Sequence, residues 1–250
     1  MRKVYMTFDR EQFESDKVNF IEKISADNTL KKLGVQLFEQ SDKYNYPYLW
    51  SWLGMPIIQM PEDTIAFQEI IWKNQPDVII ETGIAWGGST VFYASLLNLC
   101  GNNGRVIAID VVLPQKNIDA IKSRDFKNCI HLFQGSSSDP ALFNQIKNMI
   151  KPHEKVMIIL DSNHTHEHVL AELELWSPLV SPGQFLVVSD TCVEDIETQH
   201  HRPRPWGKGN NPKTAVLAFL KNHNNFCKEN IYNKRALTST NYEGYLERLE

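Results

Sequence analysis

The sequence predicts an α/β fold built on a doubly wound, mostly parallel sheet. Two observations carry that prediction. Five short, nearly continuous apolar runs alternate with segments long enough for helices, a rhythm that calls for parallel strands joined by right-handed helical crossovers. The residues that follow those runs are glycines, serines and carboxylates, at the strand ends where ligands collect in open sheets. At 250 residues the chain is long enough for one large core with appendages and short for two independent enzyme domains.

The elements follow in order. Residues 1 to about 60 read as a helical lead-in, because SADNTLKKLGVQLFEQSDKY spaces Leu30, Leu33, Val35, Leu37 and Phe38 nearer to a helical than a strand period. The aromatic stretch YNYPYLWSWLGMPIIQM then reads either as a packed loop over the core or as a lid and substrate wall, since rigid amphipathic rings suit both. PEDTIAFQEIIWKNQ starts a helix with proline and two acids in its first turn. VIIET (78–82), RVIAID (105–110), CIHLFQ (129–134), KVMIIL (155–160) and QFLVVS (184–189) are the five strands, expected to be buried on both faces. STVFYASLLNLC, QKNIDAIKSRDF, PALFNQIKNMIK and HEHVLAELELWSPLV are the helices between them. A polar stretch over 191–212 precedes a last helix, KTAVLAFLKNH, and two strand candidates near 226–233 and 244–249, which would form an antiparallel hairpin at the sheet edge.

Composition narrows the function. A formal charge of −4 offers no general attraction for a polyphosphate backbone, which argues against nucleic acid as a partner. No apolar run suits secretion or a membrane span, so a cytoplasmic protein with no membrane partner is expected. Cys100, Cys129, Cys192 and Cys227 are scattered without a CxxC spacing and read as reduced structural thiols.

The strand ends supply the candidate site. Glu81-Thr82-Gly83 closes the first strand, and Gly87-Gly88-Ser89 leads into the next helix. Those glycines can admit a ligand against bare backbone, while Ser89 and Thr90 can cap the helix. A helix N-terminus of this kind could hold a pyrophosphate, but the spacing is GxxxGG and Glu81 sets a negative charge beside the turn. A cation is the better guest. Asp110, at the end of the second strand, can accept the hydroxyls of a ribose. S-adenosylmethionine, with a ribose and a sulfonium, satisfies both acids. Asp161 and Asp190 end neighbouring strands and would repel one another unless a cation lay between them, for which magnesium suits the hard oxygen ligands. His164, His166 and His168 follow Asp161, but their spacing puts only His164 and His168 on one helical face, which disfavours a zinc site; His166 and His168 read as solvated or capping residues. In 191–212, His200, His201, Arg202, Arg204 and Trp206 belong either to a mobile surface loop or to a lid whose arginines could meet an anionic acceptor.

ETGIAWGGS, DSNHTHEHVLAELELWSPLVSPGQFLVVSDT and the closing GYLERL after TSTN together resemble the cephalosporin hydroxylase-like family. Its members are class I S-adenosylmethionine-dependent methyltransferases, related to macrolide-sugar and rhamnosyl O-methyltransferases. The resemblance runs from about Trp50 to the C-terminus. It implies a Rossmann-like, seven-stranded sheet with the last strand antiparallel, in a methyltransferase domain over 61–250 that follows an N-terminal helical or lid segment over 1–60. It also implies a cofactor site on Glu81, Gly83, Gly87 and Ser89, with Asp110 on the ribose, the Gly135-Ser136-Ser137 turn near the adenine, and Asp161 beside the cofactor. Magnesium is implied on Asp161, Asp190 and Ser189, the last standing where relatives carry an acid; a serine brings no charge, which puts metal affinity in doubt. His164, three residues after Asp161, matches the family's general base, so Asp161 and His164 are the catalytic candidates. The implied reaction is O-methylation of a hydroxyl, or a phosphate oxygen, of a sugar, a nucleotide-linked sugar or a phosphorylated small-molecule acceptor, in surface-glycan (polysaccharide) or secondary-metabolite biosynthesis. Two rivals stay open: a nicotinamide-dependent oxidoreductase and a non-catalytic interaction protein on the same scaffold. Homo-oligomerisation is compatible with the sequence and is not specified by it.

Overall fold

The structure, a computed structural model, describes residues 9–197 and 199–250. Two helices open it, α1 (Arg10–Ala26) and α2 (Asn28–Asp42). The stretch expected as one lead-in is broken at Asp27, whose N–H donates to Ile24 O to close α1 while its carboxylate accepts from Thr29 N and Leu30 N to start α2. The aromatic stretch that follows holds a small hairpin, β1 (Trp50–Trp52) and β2 (Met55–Ile57), turned through Leu53 and Gly54, both at positive φ. Helix α3 (Pro61–Asn74) then leads into the main sheet.

That sheet alternates as the sequence predicts: β3 (Val78–Thr82), α4 (Gly88–Cys100), β4 (Arg105–Asp110), α5 (Gln115–Lys122), β5 (Ile130–Gln134), α6 (Pro140–Lys147), β6 (Val156–Leu160), α7 (His166–Trp176) and β7 (Phe185–Val188). Helix α8 (Pro212–Leu220), β8 (Phe226–Cys227), α9 (Ile231–Arg235) and β9 (Tyr245–Arg248) complete it. The strand order is β5-β4-β3-β6-β7-β9-β8, with the first five parallel and β9 antiparallel to both of its neighbours. Two apolar layers cover the sheet. Ile79, Val106 and Met157 pack on α3 and α4 through Phe67, Ile71 and Phe92, while Val78, Ile80 and Ile158 face Leu173, Trp176 and Phe219 of α7 and α8. Neighbouring residues such as Val78 and Ile79 thus serve opposite layers, as the two-residue strand period requires.

Two expectations are corrected. The run 129–134 is an edge strand with only partial burial, because nothing pairs beyond β5. The strand candidate at 226–233 shrinks to Phe226–Cys227, since Asn230 accepts from Tyr232 N and Asn233 N and starts α9. The last two strands do form the expected antiparallel pair at the sheet edge, β9 inserting between β7 and β8 with α9 in the connection between them. That insertion is fixed from α3, where Glu62 accepts from Leu237 N and Thr238 N, and the fully buried Asp63 accepts from Thr240 N at 2.8 Å and Tyr245 OH at 2.7 Å.

The hairpin lies directly on α4. Trp52 Nε1 donates to Ser95 Oγ at 3.0 Å, and a Cβ on Gly88 would fall 2.1 Å from Pro56 O. Gly88→Ala is therefore expected to destabilise the protein by about 3 kcal/mol or more, because backbone cannot yield as a flexible side chain can. Gly101→Ala, whose Cβ meets open space and suffers only the left-handed φ of +72°, should cost about 1 kcal/mol. Urea midpoints of the two variants check the difference.

Candidate active site

A cavity of about 680 Å³ opens over the carboxyl ends of the parallel strands. Its floor is formed by Gly83, Ser89, Asp110, Gly135, Ser136, Ser137, Asp161, His164, Ser189 and Asp190, so ten of the predicted site residues converge there. Its walls come from Phe38, Tyr48, Pro56, Ile58 and Gln59 of the N-terminal part and from Cys192, Ile196, Gln199, Arg202, Arg204 and Trp206. Glu81 and Gly87 do not line it.

Glu81 stands behind the glycine turn. It is 1% exposed; Ser89 Oγ donates to its Oε1 and Thr90 Oγ1 to its Oε2 at 2.5 Å. The two hydroxyls expected to cap α4 instead hold this carboxylate, and the N-cap is Gly87 at φ 86° with no side-chain cap. Burial pushes the Glu81 carboxyl up to about 7 against the partial relief of those two hydrogen bonds. The glycines' bare faces also point at protein: a Cβ on Gly83 would fall 1.9 Å from Asp161 O, and one on Gly87 would meet Ile121. Gly83 therefore lets the β3 and β6 ends approach one another, which brings the Asp161 loop beside the turn.

Asp110 is held open-armed by backbone. Its Oδ2 accepts from Ile84 N at 2.8 Å and Ala85 N at 3.2 Å, and its Oδ1 from Val112 N at 3.0 Å. Three of the roughly four lone-pair positions of a carboxylate are thus occupied, and the residue lines the cavity.

Beyond the turn, Asp161, His164 and Asp190 bring one potential ligand atom each within 4.8 Å of one another. His164 Nε2 lies 3.2 Å from Asp190 Oδ2 and 3.9 Å from Asp161 Oδ1, and the imidazole meets the Trp206 ring edge to face at 4.9 Å. Asp190 adopts φ 56°, a left-handed conformation that aspartate tolerates better than most residues, with its N–H donating to Asn241 Oδ1. Burial, and then the neighbouring Asp190 and Glu81, hold the Asp161 carboxyl well above the usual carboxylate range. Ser189 Oγ is buried without a hydrogen-bond partner. Converging carboxylates with an orphaned hydroxyl beside them fit a hard divalent cation.

Two residues read as solvated are not. His168 lines the cavity and pairs with the fully buried Glu172; Ser162 Oγ donates to Glu172 Oε1 at 2.8 Å and lies 3.0 Å from His168 Nε2, and Ser137 Oγ is 3.2 Å from that nitrogen. The Glu172 hydrogen bond raises the His168 pKa. The i, i+4 spacing of His168 and Glu172 was the available signal. His166 faces away from the cavity, with Nδ1 2.8 Å from Thr214 Oγ1 and its N–H on Asn210 Oδ1. The 191–212 segment is anchored rather than loose: buried Asp42 accepts from Gln199 Nε2 and Arg202 Nη2, each at 2.6 Å, and Glu194 accepts from Gly209 N.

The seven-stranded order, mostly parallel with β9 antiparallel, is that of a class I methyltransferase-like fold. Residues 44–249 match the model of the Rhamnosyl O-methyltransferase/CmcI family, and the chain belongs to that family. It is 33% identical over 187 residues to the rhamnosyl O-methyltransferase of Mycobacterium tuberculosis (strain ATCC 25618 / H37Rv), covering 72% of each chain. It is 31% identical over 159 residues to that of Mycobacterium leprae (strain TN), covering 61% of this chain and 67% of the relative. Among solved structures, CmcI D160 with magnesium and S-adenosylmethionine superposes with a TM-score of 0.57 at 17% identity, covering 81% of this chain and 78% of that one. The CmcI N160 apo-structure gives 0.58 at 18% identity, over 81% and 77%; these two likenesses speak for the fold. Family membership sets aside the oxidoreductase and the non-catalytic scaffold. No helix among the described residues is long and apolar enough to cross a membrane.

Glu81 generates a prediction about stability. Its folded pKa of about 7 lies above the ordinary 4.5, so folding binds a proton between those values. The associated stability is complete below about pH 4.5, falls as pH rises toward 7 and is then constant, a loss of up to about 3 kcal/mol. In Glu81→Gln that component of the slope should vanish, so the difference in unfolding free energy between variant and wild type should shift in the variant's favour from pH 5 to pH 8. Urea unfolding at both pH values measures it; a difference independent of pH would show Glu81 titrating normally.

Proposed function

We propose that the protein transfers a methyl group from S-adenosylmethionine to a hydroxyl oxygen of a sugar, free, nucleotide-linked or otherwise phosphorylated, with a divalent cation assisting. The observation that carries this reading is the convergence of Asp161, His164 and Asp190 where the strand-end floor meets the aromatic and arginine wall. The mycobacterial relatives are rhamnosyl O-methyltransferases by name, which supports a sugar acceptor and a place in surface-glycan or related biosynthesis.

Each residue has a task. Asp110 offers its remaining acceptor position to the ribose hydroxyls, and the Gly135-Ser136-Ser137 turn flanks the adenine, with Ser137 steadied by Trp176 Nε1 on its carbonyl at 2.8 Å. Glu81 acts at one remove: by holding Ser89 and Thr90 it fixes the first turn of α4, while Gly83 and Gly87 shape the backbone around it. When bound, S-adenosylmethionine supplies an electrophilic methyl on a sulfonium that leaves as a neutral thioether. Asp161 and Asp190, with Ser189 beside them, would hold magnesium, which when bound would lower the pKa of the acceptor hydroxyl. His164 takes the proton as the new C–O bond forms, and the adjacent Asp190 carboxylate stabilises the resulting imidazolium. Trp206 against the ring limits its motion, so the base meets the hydroxyl in one orientation. Residues 38–59 close one side of the cavity through Phe38, Tyr48, Pro56 and Gln59, which suits a substrate wall.

Calorimetric titration of S-adenosylmethionine and its demethylated product, with magnesium and with chelator, tests the reading. Tight binding that weakens about tenfold or more in Asp110→Ala is expected, since a hydrogen bond to a charged group is worth roughly 1.5–3 kcal/mol. No binding under either condition would sink the proposal. His164→Ala should lower kcat about 10²- to 10⁴-fold while leaving cofactor affinity within about twofold. Manganese binding followed by electron paramagnetic resonance separates the roles of this residue: unchanged binding supports the base, and its loss would make His164 a metal ligand.

A further inference from the structure

The cavity is electrically divided. Asp110, Asp161 and Asp190 line it at the strand ends, and two guanidiniums, Arg202 and Arg204, line it from the segment after β7. The two arginines are not equivalent. Arg202 is 19% exposed, donates to buried Asp42 at 2.6 Å and lies over the Tyr48 ring at 5.0 Å. Its Nη2 is paired with Asp42, which fastens the wall segment to α2, while its Nη1 is buried with no hydrogen-bond partner among the described residues. Arg204 is exposed, and no carboxylate lies within 4 Å of it among the described residues. Its guanidinium sits 5.4 Å from the centre of Trp206, the same indole that meets His164 edge to face at 4.9 Å. Base, aromatic plate and unpaired cation thus stand in sequence, in the order in which an acceptor would present a hydroxyl, a ring and a substituent.

From this arrangement we infer that the acceptor is a sugar carrying an anionic group, with Arg204 as the residue that reads the anion and Trp206 as the plate for the ring. The inference rests on the sugar-methylation reading of the site and narrows its substrate class. Geometry gives it direction. A planar guanidinium offers paired donors that match phosphate or carboxylate oxygens, and its stacking on Trp206 at 5.4 Å presets the fork before the ligand arrives. With the charged end held at Arg204 and the ring at Trp206, the hydroxyl falls toward His164, which lies 4.9 Å from the same indole. Tryptophan suits the plate because a broad apolar ring packs well on the C–H face of a pyranose. Phosphate and carboxylate share this recognition chemistry, and the source of the charge is left to the arms of the experiment.

The test is calorimetric and needs no turnover. A hexose 1-phosphate, a nucleoside diphosphate hexose, a hexuronate and a neutral methyl hexoside are titrated into the protein, with and without the demethylated cofactor, for wild type, Arg204→Ala, Arg204→Lys and Arg202→Ala. At least one anionic sugar should bind about tenfold or more tighter than the neutral one to wild type. Arg204→Ala should bring that ratio close to one, and Arg204→Lys should restore part of it as a point charge. Arg202→Ala should lower the melting temperature and weaken anionic and neutral sugars alike. Equal binding of charged and neutral sugars by wild type, binding of neither, or a preference that survives Arg204→Ala overturns the inference. Whichever anionic arm binds tighter identifies phosphate or carboxylate. Failure of the function reading appears separately, as absence of cofactor binding in the same protein.

Discussion

Mutual repulsion among carboxylates is the constraint on which this site depends. Glu81, Asp110, Asp161 and Asp190 stand at the carboxyl ends of four neighbouring strands, β4-β3-β6-β7, within one small region. Four negative charges so close, over a floor of apolar strands, cannot all be tolerated unanswered. The fold answers them in different currencies: hydroxyls of α4 for Glu81, backbone N–H groups for Asp110, an imidazole for Asp190. Asp161 is left with the least compensation and the strongest push toward the protonated form. What remains after internal compensation is a demand for positive charge at one edge of the cavity, and that demand is the chemical specification of the guests.

The same logic explains why the cavity has two ends. The sheet supplies acids because parallel strands deliver their carboxyl ends to one edge, where loops are free to vary. It cannot supply the opposite wall. That comes from α2, the β1–β2 hairpin and the 191–206 segment, which share no strand with the sheet; Asp42 joins α2 to the last of these. With Gln199, His201 and Arg202 gathered on it, Asp42 makes the wall a built structure rather than a loose flap. A buried carboxylate with several donors is costly to assemble and costly to break, so the wall keeps its shape while the cofactor end is filled or emptied.

How much of this was legible follows from sequence distance. The strands, their order of ends and the residues Asp110, Asp161 and Asp190 were legible because each depends on a run of five or six apolar residues and on the residue after it. His168 was misread because its partner Glu172, though only one helical turn away, had to be recognised as buried. The role of Ser89 and Thr90 was misread as well: helix-start residues usually cap, and only the turn of the chain at Gly83 and Gly87 swings them over Glu81. The Asp42 clasp was invisible, because Arg202 lies 160 residues away and nothing local marks the pair. Burial of β5 was overestimated for the converse reason, since an apolar run does not say whether another strand lies beyond it.

One consequence separates scaffold from specificity. The residues proposed to meet the cofactor lie at a strand end, in the first turn of a helix or, for Ser136 and Ser137, in the short loop that leaves β5. The residues proposed to meet the acceptor, Trp206 and Arg204, lie outside regular structure, in a segment tied to α2 by Asp42 with Arg202 and closed on itself by Glu194 with Gly209 and the Gly207–Asn210 bridge. A change in those few contacts would move the acceptor wall without disturbing a single strand. The fold can therefore hold one cofactor geometry constant while sugars of different charge and shape are selected above it. The division of the cavity into an acidic floor and an arginine wall is the form that independence takes in this chain.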